Sequence, residues 1–181
     1  VRYGPGVIAD SKPEIEKIVF PNTIETENFI ITPKFEISGT VRVIAKNRYW
    51  FEHMSSISPF DLLLSWDRMS DEDLLTRMLV NIEDRSYEVQ MAKPPYQQGN
   101  IHQHLMMTHV IPATEQVHDK ISSLRRGQLV SLSGYIVDIE NRYGNIWISP
   151  VRDELPAYRS SHWFWIEKIT PEEAETDTQS E

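Results

Sequence analysis

The most informative alternation of hydrophobic and polar positions lies in GQLVSLSGYIVDIE, from Gly127 to Glu140. Val130 and Leu132 are apolar against Ser131 and Ser133. Past Gly134 the order shifts by one, so that Val137 and Ile139 are apolar against Asp138 and Glu140. Side chains alternate across a strand with period two, so a slip at a glycine predicts a β-bulge or coil in a sharply curved strand. Curved strands of that kind close small barrels. Earlier in the chain, FEISGTVRVIAKNRYWFE sets Phe35, Ile37, Val41 and Val43 against Glu36, Ser38, Thr40 and Arg42. At ~3.3 Å per residue this run is too long for a flat strand, so it must bend strongly or turn near Lys46 and Asn47.

Local punctuation predicts the remaining elements. Ser58 and Pro59, a cap followed by a first-turn proline, open PFDLLLSW as a short helix. Ser70 and Asp73 resemble a capping box before Leu74, Leu75, Met78 and Leu79. Tyr87, Val89 and Met91 alternate with Glu88 and Gln90, which makes 80–92 β structure; 93–100 is a loop and 101–111 a further strand. After Pro112 and Thr114, the spacing of Val117, Ile121 and Leu124 predicts a helix that Gly127 stops. An NRYGN turn, a strand at 146–149 and a last strand through 162–169 complete the pattern.

The expected class is mainly β with short helices (α+β): a small curved-strand barrel, OB-like, with a helical insertion. A helix between strands plugging one end is the OB arrangement; an irregular α+β roll is the alternative. Residues 1–33, punctuated by Gly4, Gly6 and several prolines, read as an extended N-terminal arm. Residues 34–169 form one barrel-like domain. Residues 170–181, charged and without aromatics, read as a disordered acidic tail.

Two stretches, SSISPFDLLLSWDRMSD (55–71) and HVIPATEQVHDKISSLRRGQLVSLSGYIV (109–137), resemble a family of uncharacterised bacterial proteins that often carry a hydrophobic N-terminal segment. The resemblance covers about the middle half of the chain. It implies a bacterial origin and a membrane-anchored or exported protein, with no activity attached.

Composition narrows the function classes. The 181 residues carry a formal net charge of −9, with five acids (Glu172, Glu173, Glu175, Asp177, Glu181) near the end, and neither the whole nor the body favours generic binding to nucleic acid or anionic lipid. There is no cysteine, which excludes disulfides, thiolate nucleophiles and zinc–thiolate sites. No apolar stretch approaches the ~18 residues of a membrane helix. The sequence starts at Val1, which suggests a leader or anchor removed upstream. Placement in the cell envelope, on the periplasmic side with an inner-membrane anchor, follows as the expectation.

Three constellations carry candidate chemistry. His102 and His104 lie two apart, on one face if 101–111 is a strand, with His109 nearby; imidazoles so placed could hold a divalent metal, the one candidate cofactor. The competing reading has these histidines hydrogen-bonded near strand ends. Tyr49, Trp50, Trp163 and Trp165 fall on β segments, where exposed rings could bind a partner or stack bases and buried rings would fill a barrel. Arg42, Lys46 and Arg48 make a same-face basic row beside Tyr49 and Trp50. There is no G-x-S-x-G elbow, phosphate loop or dinucleotide fingerprint. The carboxylates of 61–73 are explained by helix starts. The leading expectation is therefore a non-catalytic envelope-associated domain that binds another envelope protein. A His-based metal-dependent enzyme and an OB-type binder of single-stranded nucleic acid are the alternatives.

Overall fold

The computed structural model describes residues 2–97 and 100–174. The strands are β1 (Glu14–Lys17), β2 (Ile24–Glu25), β3 (Phe29–Arg48), β4 (Phe60–Ser65), β5 (Leu79–Glu83), β6 (Ser86–Gln90), β7 (Leu105–Pro112), β8 (Leu129–Asn141), β9 (Ile146–Trp147), β10 (Val151–Arg152), β11 (Leu155–Pro156) and β12 (Ser161–Pro171). Helices α1 (Glu72–Arg77) and α2 (Glu115–Ser122) are short, and two 3₁₀ turns cover Asp67–Ser70 and Asn100–His104. No described helix is long and apolar enough to cross a membrane.

The main sheet curls back on itself. β3 pairs with β4, β4 with β7, β7 with β12 in parallel, β12 with β8, and β8 with β3 again. Side chains from all five strands meet in one cluster: Phe35, Val41 and Val43 of β3, Leu62 and Leu64 of β4, Val110 of β7, Ile136 of β8 and Phe164 of β12. Val117 and Ile121 of α2, with Leu124 just beyond it, join the same cluster. Thr114 starts that helix by accepting from the Val117 N–H at 3.2 Å. Lys46 ends it, donating to the carbonyls of Ile121 (3.2 Å) and Ser122 (2.7 Å), where a cation meets the negative end of the helix.

The parity change in β8 has a different cause from a bulge at Gly134. β8 keeps a continuous register; the extra residues sit on its neighbours, at Lys34 in β3 and Glu167 in β12. Even positions of β8 up to Ile136 face the central cluster, whereas Val137 and Ile139 face outward, into a second cluster with Ile31, Met54, Ile111 and Trp163. The sequence pattern therefore switches because the covered face switches. The bulges explain the partners: Ile31 belongs to the outer cluster and Phe35 to the inner one, although they share parity. A third irregularity, at Ile44, turns Ile44 and Ala45 to the same side, against Leu63 and Met107, after the inward Val43, so β3 bends as one strand of 20 residues and does not turn at Lys46.

Gly134 still matters, for close approach. A Cβ there would collide with the Trp165 carbonyl oxygen and lie 3.0 Å from the Ile166 Cα, both backbone atoms of the neighbouring strand.

Three further expectations are corrected. PFDLLLSW is a strand, since all six residues of β4 are buried between neighbours on both edges, and that outweighs the local cap signal. In 101–111 only the part from Leu105 onward is extended; His102 and His104 lie on the preceding 3₁₀ turn. The arm is more ordered than its prolines imply: β1 pairs with β3, β3 starts at Phe29, and Ala9 is buried. At the other end β12 continues to Pro171 and the Glu172 N–H donates to the Leu129 carbonyl; the tail expectation for 175–181 falls outside the described residues.

Gly134→Ala should destabilise the protein by about 1–3 kcal/mol, because two strand backbones must separate to admit the methyl group. Denaturant unfolding reads this directly, with Leu79→Ala on an exposed site as the control; equal midpoints for both variants would contradict the close approach.

Candidate functional site

The outer face of β4, β7 and β12 carries an unusual group of polar side chains. Asp61 and His109 are cross-strand partners in the β4–β7 pairing, and His109 is in turn opposite Trp163 of β12. Leu62 and Leu64 take the inward positions of β4, so Asp61 must face outward, yet it has no exposed surface. A buried carboxylate is costly unless it is compensated. Here Oδ1 receives the Arg85 Nη1 (2.9 Å) and the His109 Nδ1 (2.8 Å), and Oδ2 receives the Tyr49 hydroxyl (2.7 Å).

Arg85 comes from the β5–β6 hairpin, whose two turn residues, Asp84 and Arg85, have φ of 48° and 66°. Side chains rarely adopt such angles, and the strain is offset by what the position delivers. Nη2 meets the Glu52 carboxylate (2.6 Å) and the Ser58 carbonyl (2.7 Å), Nη1 also reaches the Ser58 hydroxyl (3.1 Å), and the guanidinium lies 3.9 Å from the Tyr49 ring centroid. The segment 49–59 is thereby tied down at Tyr49, Glu52 and Ser58. Burial, followed by the bond to Asp61, pushes the Tyr49 hydroxyl pKa up, so it serves as a neutral donor.

The network continues from His109 Nε2 to Ser161 Oγ at 2.9 Å. Asp61, His109 and Ser161 thus have the connectivity of a Ser-His-Asp relay. The difference is Arg85: its guanidinium and the His109 imidazole share one carboxylate oxygen. Beside Ser161 an open cavity of about 200 Å³ is bounded by Arg85, Ser86, His102 and Arg159.

The histidines named from the sequence are held separately. His102 Nδ1 meets the Tyr87 hydroxyl at 2.6 Å, His104 stacks on Tyr96 at 4.1 Å, and His109 is in the Asp61 network. Among the described residues no group of three or more His, Asp or Glu side chains is placed to hold a metal. The aromatics divide as well. Trp163 is buried against His109 and Trp165 is half-buried over the outer cluster, so neither is a free surface ring. Trp50 is 68% exposed, and its neighbour Phe51 is fully so.

The basic row is dispersed. Arg42 is completely buried, paired with Glu72 at 3.1 Å and donating to the Gly127 and Ser70 carbonyls, which puts it out of reach of any surface ligand. Arg48 lies over the Trp50 and Phe60 rings at 4.0 and 4.6 Å.

Sequence reasoning missed Asp61, Arg85 and Ser161. Asp61 did leave a signal: a single acid inside PFDLLLS, which as a two-sided strand would have to find a buried cation. Arg85 and Ser161 left none, since one sits in a turn and the other among neighbouring serines.

No family model, curated protein or solved structure matches this chain.

Asp61→Asn should cost about 3–5 kcal/mol, because it takes the fully buried counter-charge from Arg85 and leaves it only the part-exposed Glu52; a loss below about 1 kcal/mol in denaturant unfolding would show the network to be solvated. A second expectation concerns pH. Burial lowers the His162 pKa below its ordinary 6.5, with the Ala157 carbonyl only partly opposing, so below that pH the unfolded chain binds more protons than the folded one. Stability is therefore whole above about pH 6.5 and falls as pH drops. His162→Gln should flatten that fall in thermal unfolding followed from neutral to mildly acidic pH; an unchanged slope would assign it elsewhere.

Proposed function

We propose that this chain is an OB-type binding domain of the bacterial envelope that docks another envelope protein through Trp50 and Phe51. Support for the OB type comes from strand order. Taking β3, β4, β7, β8 and β12 as strands one to five, the cyclic order is 1-2-3-5-4, with three and five parallel and α2 between three and four.

The observation that carries the docking reading is the bracing of segment 49–59. Exposed large aromatics are anchors of protein interfaces when the chain that bears them is already ordered, since little entropy remains to be lost on binding. Glu52 and Ser58 are fixed by Arg85, the Tyr49 hydroxyl by Asp61, and the Trp50 ring rests on Arg48. Phe51 has no such cover. A partner offering an apolar pocket fits this pair. The envelope placement rests on the resemblance of 55–71 and 109–137 to anchored or exported bacterial proteins. The nucleic-acid reading draws less support, because Arg42 is buried and Lys46 is spent on the end of α2.

A photo-crosslinking residue at Phe51, in cells making the protein, should yield one discrete protein adduct in the envelope fraction. The same residue at the exposed Glu27 should not. Trp50→Ala with Phe51→Ala should change stability by less than about 0.5 kcal/mol while removing binding to the partner so identified. Equal adducts at Phe51 and Glu27, or none at either, would count against the docking face.

A further inference from the structure

The main sheet ends at β1 on one side and at β9 on the other. β1 reads Glu-Ile-Glu-Lys, and charge of that kind keeps an open edge from pairing with another chain. β9 has no such guard. Residues 145–149, Asn-Ile-Trp-Ile-Ser, contain neither a charge nor a proline, and Ile146 and Ile148 are 60% and 61% exposed.

The backbone of this stretch is open as well. The Asn141 N–H donates to the Asn145 carbonyl at 3.0 Å, so Asn141–Asn145 and Ile139–Trp147 are the bonded pairs of the β8–β9 ladder and Glu140–Ile146 the unbonded one. The Ile146 N–H and C=O therefore point away from β8. Those of Ile148 have no hydrogen-bond partner among the described residues. Ser149 turns back into the fold, its N–H donating to Asp138 Oδ1 (2.8 Å) and its hydroxyl to the Val137 carbonyl (2.6 Å).

A second copy fits this edge antiparallel in one register. A two-fold axis at Ile146 would call on Gly144, which lies in the turn at φ 85° with its N–H already given to the Asn141 carbonyl. An axis at Ile148 would set Ile146 opposite Pro150, which has no N–H. An axis at Trp147 sets Ile146 opposite Ile148 of the second copy, and the reverse, so that all the open N–H and C=O groups of both residues are paired. It also brings the two Trp147 rings together at a close, unbonded site. Trp147 packs there with Phe29 (ring centroids 6.4 Å apart) and the outer cluster, which the second ring extends. An identical strand supplies that matching tryptophan with no further requirement.

We infer that β9 is a self-association edge, joining two copies of this chain about a two-fold axis at Trp147 into one continuous sheet. Gly144 and Pro150 bound the ladder, so the contact is short and the dimer belongs to the weak class. The inference rests on β9 alone and does not depend on what binds Trp50 and Phe51.

Sedimentation velocity of the whole chain over about 0.02–1 mM, a range suited to a weak interface, should show the average mass climbing from one chain towards two. Ile148→Pro removes an N–H that nothing in its own chain uses, and should weaken the dimer at least about tenfold. Ile146→Lys with Ile148→Lys sets like charges opposite each other and should leave a monomer. Mixing that variant with Ile146→Glu, Ile148→Glu should restore pairing as mixed dimers. Both sites are exposed, so unchanged unfolding midpoints check that each variant is folded. A monomer throughout the range, or a mixture that does not pair, would overturn the inference. So would a dimer that survives both the proline and the lysine variants, since it would form elsewhere. Slow amide exchange at Ile146 and Ile148 in dilute protein would overturn it too, because another part of the same chain would then cover the edge. A photo-crosslinking residue at Ile148 that captures a different protein in cells, and never a second copy, would have the same effect.

Discussion

A carboxylate without solvent, at Asp61, sets the terms for the outer face of this protein. Burying one ionised side chain costs several kcal/mol unless partners replace its water. Asp61 finds three, from three places in the chain: Tyr49 at the end of β3, Arg85 in the β5–β6 turn and His109 across the β4–β7 ladder. Each partner is constrained in return. The hairpin turn takes backbone angles unusual for Asp and Arg, the imidazole is held to one tautomer, and the loop that carries Trp50 is closed down at Glu52 and Ser58.

The inner face needs no such device. There the five strands and α2 pool aliphatic and aromatic side chains, and three one-residue irregularities in β3 and β12 decide which side chains reach the centre. The second buried ion pair, Arg42 with Glu72, follows the same rule as Asp61. Its guanidinium also satisfies two backbone carbonyls, so it seals the junction between β3, the 3₁₀ turn at 67–70 and the approach to β8. In both networks charge is spent on joining segments distant in sequence.

Arg85 links segment 49–59 to the cavity at Ser161. Its Nη2 steadies the segment that presents Trp50 and Phe51, and the same side chain borders the cavity at Ser161. Pairing with Asp61 and Glu52 holds it in place without placing a carboxylate in the cavity wall.

The sequence by itself determined the mainly β character, the helix at 115–122 and the curvature. All three follow from apolar periodicity and local caps, which act over a few residues. It also pointed to Gly134, although the reason lies in the backbone of β12 and not in a bulge at the glycine. Only tertiary structure could decide that PFDLLLS is a strand, because a uniformly apolar run fits helix or strand until its neighbours are known. The fate of the charges was equally non-local. Arg42 alternates with Val41 and Val43 just as a solvated side chain would, and only the fold shows it buried while Arg48 lies over the Trp50 ring. Asp61, His109 and Ser161 are separated by 48 and 52 residues, so pairing of β4, β7 and β12 is what brings their polar atoms within hydrogen-bond distance.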